Sequence, residues 1–350
     1  MKTLVISKPI YDYILPLVEF PEDGDTFFIE NSIKTLSNVG VLTAITLAKY
    51  GLDVSFTGMI GDDEIGRKIK EIFESYRINT KYIETSYTER TCSNYKIYNS
   101  KTNKFTTIQE KSIKATLTKY KYEFIPDVII MDDGDYGANL AAINNYPNSK
   151  LIYIGNKFTK DSLVYCNKCN YIISTLSFAS EATGVTTNLN KEKNIVQLFQ
   201  KFVDLYNANL IIKLNNFDIL YCINDEVRLM KNINKNITNK ENLYDACLSY
   251  FIITTNNVEN SIKLTNKVML ESGNEFDMIK NIPDYKVIAD NINNTKTNNQ
   301  IVEEPKQNTQ IINPTNKNIE IPNQTEIIAT PKLDNTVIKE CNGVNEIEKL

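Results

Sequence analysis

The 350-residue chain contains no histidine and no tryptophan. Without histidine there can be no Ser-His-Asp or Cys-His nucleophile system, and no His-ligated zinc centre of the hydrolase kind. Any chemistry has to run through carboxylates, lysines, hydroxyls, thiols or backbone dipoles. Long hydrophobic runs are also missing: no stretch approaches the ~18–20 apolar residues of a membrane helix. Residues 1–17 are interrupted by Lys8 and Asp12, with no small-residue cleavage site after them, so they read as a first strand and not as a secretion signal. There is no basic surplus, since 39 Lys and Arg stand against 43 Asp and Glu, a net charge of −4. With no long basic run, neither nucleic acid nor a membrane surface is an expected partner. The six cysteines are scattered, as expected of reduced thiols in a cytoplasmic protein. Cys166 and Cys169 have the spacing of a redox pair or half a zinc site, but no second pair and no histidine accompany them. Cys92, Cys222 and Cys247 read as small apolar fillers.

Aromatic residues stop at Tyr285. The 65 residues that follow hold no Phe or Tyr, four of the ten prolines, and many Asn, Thr, Gln and Lys. Such a segment cannot bury enough apolar surface to offset its ordering entropy. Residues 1–285 are therefore expected to form one domain, and residues 290–350 a disordered Asn/Thr/Pro-rich tail.

Within the domain, short apolar runs alternate with helical periodicities. Residues 3–7, 54–57, 127–131, 151–154, 171–174 and 210–214 read as strands. Residues 41–49, 62–76, 195–206, 245–254 and 258–271 carry apolar residues at helical spacing. Asp62 and Asp63 stand where a cap and the helix dipole favour acid. The alternation predicts an α/β fold, a doubly wound and mostly parallel sheet with helices on both faces. Residues 12–33 and 87–109 break the pattern. They are polar, Thr/Tyr-rich and locally alternating, and are expected to pair as a small antiparallel β lid.

One segment is more specific. From Leu47-Ala48-Lys49-Tyr50-Gly51 it passes through a strand to Gly58-Met59-Ile60-Gly61-Asp62-Asp63-Glu64-Ile65-Gly66. This resembles the ribokinase/PfkB family of carbohydrate kinases, where a helix ending in Leu-Ala-x-Leu-Gly leads to a strand and a Gly-x-x-Gly-x-Asp-x-x-Gly turn. Ala179-Ser180-Glu181-Ala182-Thr183-Gly184 is similar to that family's Ala-x-x-Leu-Thr-Gly stretch. The glycines of the first motif serve turn geometry and close packing, so the best-matching region speaks to fold more than to activity.

The resemblance implies ATP-dependent phosphoryl transfer to a hydroxyl of a small-molecule sugar or nucleoside. ATP and Mg2+ would be the cofactors, and a homodimer would form through the lid strands. It places the catalytic base at Asp245 and sugar binding at Asp12, with Ser37 and Asn38 where the family has a Gly-Gly pair. The anion hole falls on Asn242, Leu243 and Tyr244, where the family has Gly, Ala and Gly. Leu and Tyr cannot easily adopt a positive-φ turn. Thr175-Leu176-Ser177-Phe178 stands where the family has Asn-x-x-Glu, and no glycine occurs between Gly184 and Gly273. No metal-ligating residue is assigned. Two readings remain open. One is a PfkB-type kinase with a degenerate anion hole. The other is a pseudokinase that keeps the fold as a sugar-binding or protein-interaction module. Asp132 and Asp133, following a buried strand, stand where open α/β sheets place ligands, or they simply begin a loop.

Overall fold

A computed structural model describes residues 1–110, 116–185, 192–214, 217–223, 226–232, 239–286, 288–290 and 309–311. In chain order these form β1 (Lys2–Ile6), β2 (Tyr11–Leu17), β3 (Ile33–Leu36), α1 (Val39–Lys49), β4 (Asp53–Gly61), α2 (Glu64–Ser75), β5 (Asn79–Ser86), β6 (Ser93–Asn99) and β7 (Lys104–Glu110). They continue with β8 (Val128–Met131), α3 (Tyr136–Asn145), β9 (Lys150–Gly155), α4 (Ser162–Cys166), β10 (Tyr171–Thr175), α5 (Leu176–Thr183), α6 (Glu192–Leu205) and β11 (Asn209–Lys213). The last elements are β12 (Ile219–Ile223), β13 (Glu226–Met230), α7 (Glu241–Thr255), α8 (Val258–Met269) and β14 (Thr309–Ile311).

The inner strands are continuous apolar runs because both of their faces are covered. Alternate side chains enter two separate cores. From β1, Val5 packs into the core shared with α1, α2, α7 and α8. Leu4 and Ile6 pack into the core under α3, α4, α5 and α6. The sheet order is β14-β13-β12-β11-β10-β9-β8-β1-β4-β5. Pairing is parallel from β11 across to β5 and antiparallel from β11 out to β14. This is the predicted doubly wound sheet. Among the described residues, no helix is long and apolar enough to cross a membrane.

Four strands form the lid, in the order β3-β2-β6-β7. Its outer pairs are antiparallel, but the central pair β2–β6 is parallel. The chain leaves β2 and returns to β6 only after passing through α1, β4, α2 and β5, so a hairpin reversal cannot join them. The expected lid segment 12–33 carries a strand only at its start, and its partner strand begins at Ile33. Thr35 Oγ1 donates to Asp277 Oδ1 at 2.6 Å, and Tyr98 meets Phe276 with ring centroids 4.8 Å apart, which holds the lid against the segment after α8.

Two expectations need correction. The helix predicted over 245–254 begins at Glu241, so it takes in Asn242, Leu243 and Tyr244. No glycine interrupts that turn, and Leu243 and Tyr244 gain by joining the apolar surface of a helix buried from Leu243 to Ile253. Within the segment expected to be a structureless tail, Thr309–Ile311 pairs antiparallel with β13 at the sheet edge, where β13 would otherwise present unpaired backbone groups. Residues 291–308 and 312–350 lie outside the described residues.

Candidate active site

β1, β8 and β9 run parallel, and their C-terminal ends open into a cleft of about 560 Å3. Lys8 and Ile10 line it from the chain after β1, Asn38 and Val39 from the start of α1, and Asp132, Asp133, Ile154 and Asn156 from the ends of β8 and β9. Cys92 and Gln109 close it from the lid side. This is where a parallel sheet collects unsatisfied strand ends and ligands bind.

Asp132 is the focus of the cleft. Its Oδ2 accepts from Ser7 Oγ at 2.5 Å and its Oδ1 from Gly134 N at 2.8 Å. Asn139 of α3 fixes its backbone through a 2.7 Å bond from Nδ2 to Asp132 O. Asn38 Nδ2 donates to Ser7 Oγ and to Lys8 O, both at 3.1 Å. Two of the few glycines pack directly on this carboxylate. A Cβ on Gly40 would lie 2.2 Å from Ser7 Oγ and 2.9 Å from Asp132 Oδ2, and one on Gly134 would lie 2.4 Å from Lys8 N and 2.8 Å from Asp132 Oδ1. Burial pushes the Asp132 carboxyl up to about 7, and the like charge of Asp133 adds to this, against the hydrogen bonds from Ser7, Gly134 and Gly40. Asp133 is raised as well, mainly by burial, while the hydroxyls of Tyr153 and Tyr165 donate to it.

The structure brings Asp12, Ser37 and Asn242 together, while the side chain of Asn38, next to Ser37, goes to the cleft beside Asp132. Asp12 is buried. It accepts from Ser37 Oγ, from Asn94 Nδ2 at 2.8 Å, and from Lys96 Nζ at 2.7 Å. Lys96 also donates to Ser37 Oγ at 2.7 Å. Asn242 Nδ2 donates to Ser37 O at 2.7 Å. A smaller cavity of about 150 Å3 lies here, among Ser37, Lys96, Asn242 and Phe276.

The other assigned residues turn away from these cavities into the protein. Tyr244 is buried, and its hydroxyl donates to Asn266 Oδ1 at 2.8 Å. Leu243 belongs to the same core, although one side of it borders the smaller cavity. Asp245 is 0% exposed and ion-paired with Lys213, which is 5% exposed. Burial raises the Asp245 carboxyl and the Lys213 ammonium only partly offsets this, so the net direction is upward. At the position of the family's Asn-x-x-Glu, Thr175 Oγ1 caps α5 by accepting from Phe178 N at 3.1 Å, and Phe178 is buried. Cys166 and Cys169 are buried, which pushes both thiols up and away from the reactive thiolate form.

Sequence reasoning missed Asn94, Lys96, Lys213 and Ser7. Asn94 and Lys96 alternate on a lid strand, so both face inward, and Lys213 is a lone charge in the apolar run Leu-Ile-Ile-Lys-Leu. A lone charge in such a run signals a buried partner, but not which one.

Comparison with known proteins agrees with the fold described above. The chain is 31% identical over 91 residues to the ribokinase of Haemophilus influenzae, a match that spans 26% of this chain and 30% of that relative. Its fold superposes on Arabidopsis thaliana ribokinase complexed with ribose and ATP, with a TM-score of 0.69 at 15% identity, covering 83% of this chain and 98% of the other. It likewise superposes on the Methanocaldococcus jannaschii nucleoside kinase, an archaeal member of the ribokinase family, with a TM-score of 0.66 at 14% identity, covering 84% and 98%. The sequence profile of the pfkB family carbohydrate kinase matches residues 40–239, more than half of the chain, and the protein belongs to that family.

Proposed function

We propose that the protein binds a small sugar or nucleoside in the cleft at the ends of β1, β8 and β9, and that it phosphorylates a hydroxyl of that ligand with ATP. The observation that carries this reading is the convergence of Asn38, Asp132, Asp133 and Asn156 on one lidded cavity of about 560 Å3, large enough for a monosaccharide. Alternating donors and acceptors there suit a polyol, and closure of the lid over it would exclude water from phosphoryl transfer. Among the described residues, no three His, Cys, Asp or Glu side chains gather to hold a metal ion. Magnesium would therefore reach the site on the phosphates of the nucleotide, where it neutralises developing charge. Residues 215–216 and 233–238 lie outside the described residues.

A second reading has its own observation. The two carboxylates of the family pattern are each neutralised from within, Asp12 by Lys96 and Asp245 by Lys213. A module that binds the sugar without transferring phosphate would look like this. Melting-point shifts with D-ribose, D-fructose and adenosine, with and without Mg-ATP, together with ADP release, separate the two readings. A sugar shift with ADP release supports the kinase, a sugar shift without ADP supports the binding module, and no sugar shift removes both. For the assembly, we propose a homodimer through the outer face of the lid, where Tyr13 stacks on Tyr95 with centroids 5.3 Å apart and Ile108, opposite Tyr95, is 58% exposed.

A further inference from the structure

We propose that the outer edge of β13 is a strand-docking site, and that its ligand is a short segment repeated along the C-terminal part of this same chain. One docked segment is in place: Thr309–Ile311 pairs antiparallel with β13, with Thr309 opposite Met230, Gln310 opposite Leu229 and Ile311 opposite Arg228. In the sequence, Thr309-Gln310-Ile311-Ile312 is followed by Pro314, and two further stretches share its pattern. Asn299-Gln300-Ile301-Val302 is followed by Pro305, and Thr325-Glu326-Ile327-Ile328 by Pro331. Each has a small polar residue, then Gln or Glu, then Ile, then a second β-branched aliphatic residue, with a proline two or three positions on. β-Branched residues favour a strand, and a proline, having no N–H to give to a ladder, limits how far the pairing extends.

The receiving edge is fixed by the domain, and its ligand is interchangeable. β13 is paired on its inner side with β12, and Val227, Leu229 and Met230 anchor it in the two cores. Its outward backbone groups lack a partner unless another strand supplies one. Strand addition satisfies them through main-chain hydrogen bonds, with side chains adding selectivity, so three segments of one pattern are alternative ligands for one edge. Arg228, opposite Ile311, adds a polar feature. Its guanidinium donates to Glu259 at 2.9 Å and to Glu226 at 3.0 Å, while its Nε is buried with no hydrogen-bond partner among the described residues, a donor left for an acceptor on the incoming strand. Ile288, ahead of the first copy, lies in the core that Met230 of β13 also enters. Tethering through a short linker raises effective concentration to the order of millimolar, which favours even a weak, short pairing.

The test uses the full-length protein and reads hydrogen–deuterium exchange of β13, residues 226–230. Hydrogen-bonded and non-bonded residues alternate along an antiparallel pair, so two neighbouring prolines remove a ladder donor in either register. One variant carries Gln310→Pro/Ile311→Pro. A second adds Gln300→Pro/Ile301→Pro and Glu326→Pro/Ile327→Pro. The probe is a synthetic peptide of residues 307–314, set against a scrambled peptide of the same composition. β13 is expected to be protected in the wild type and in the first variant, because another copy takes the edge. The second variant should lose that protection at an unchanged melting point, and the peptide, but not its scrambled form, should restore it. Loss of all protection in the first variant overturns the repeat as the ligand and leaves Thr309–Ile311 as a unique strand. Protection that survives in the second variant, or that the peptide fails to restore, overturns the docking site. Should the second variant not fold, the wild type decides: the peptide with a photoreactive analogue in place of Ile311 is expected to crosslink within residues 226–230, and crosslinks elsewhere, or none, overturn the site.

Discussion

Lys213, the last residue of β11, and Asp245, in the second turn of α7, meet as an ion pair closed from solvent on all sides. The pair joins a sheet strand to a helix through the protein interior. Desolvating two charges is costly, and their attraction recovers that cost only while both are present. Asp245 Oδ1 has no hydrogen-bond partner among the described residues, so Lys213 provides most of what holds the carboxylate.

Removing one member of this pair should therefore hurt more than removing both charges. Lys213→Met is expected to cost ~3–5 kcal/mol of stability in urea denaturation, and Lys213→Met/Asp245→Asn should recover much of that loss. A single variant as stable as the wild type would show that the two side chains do not depend on each other.

Asp132 gives a pH dependence whose sign is fixed. Its carboxyl is raised to about 7 in the folded state, against ~4 in an unfolded chain. Between those values the folded protein holds a proton that the unfolded chain has lost, so the contribution of this group to stability is greatest at low pH. It falls as pH rises toward 7 and is flat above. Asp133 and Asp245 are shifted in the same direction, so the wild type alone does not isolate Asp132. The stability difference between Asp132→Asn and wild type, measured in urea at pH 5, 6, 7 and 8, should grow toward pH 7 and then level off.

Restoring the family's Ala and Gly at positions 243 and 244 of α7 is expected to damage the protein. Leu243 and Tyr244 are fully buried in the core. Leu243→Ala opens a core cavity worth ~2–5 kcal/mol, and Tyr244→Gly adds a further cavity and ~1 kcal/mol of lost helix propensity. Thermal melting should show a large drop for Leu243→Ala/Tyr244→Gly, with no gain in ADP release. A variant of wild-type stability with raised turnover would show that the extra helical turn is what suppresses chemistry.

Gly40→Ala tests the cleft. The new methyl would sit 2.2 Å from Ser7 Cβ and 2.9 Å from Asp132 Oδ2. Overpacking of this kind costs ~1–3 kcal/mol, and the displaced Ser7–Asp132 pair should abolish the melting shift by a sugar probe. An unchanged shift would place sugar binding elsewhere.

The lid face gives the last expectation. Light scattering behind gel filtration should give twice the monomer mass, and Tyr95→Lys/Ile108→Lys should return the protein to monomer with its melting point intact. A wild-type monomer at tens of micromolar would rule out the lid dimer.

Strand and helix order was legible because burial imposes a period. Residues 127–131, 151–154 and 171–174 are apolar apart from Asp127 and Ser174, as central parallel strands tend to be, and each contains one. Asp63 was legible as a cap, and its side chain does accept from Gly66 N at 2.7 Å, ahead of α2. The start of α7 was misread because the family pattern expects a glycine turn there, whereas this chain's own residues, Glu-Asn-Leu-Tyr, favour helix and burial. The parallel β2–β6 pairing was not legible, since local alternation gives a strand's faces and not its partner.

The candidate site divides along the same line. The sequence by itself determined an α/β domain with a lid, excluded histidine chemistry, and supplied the carboxylates Asp12, Asp132 and Asp245. Those results depend on residue identity and on local spacing, which the chain carries along its length. Only the tertiary structure decided which carboxylate meets the cleft. Lys96 reaches Asp12 from 84 residues away and Lys213 reaches Asp245 from 32, while Gly40 and Gly134 come from distant elements to flank Asp132. A charge's accessibility and protonation depend on what packs around it in three dimensions, and no local pattern records that.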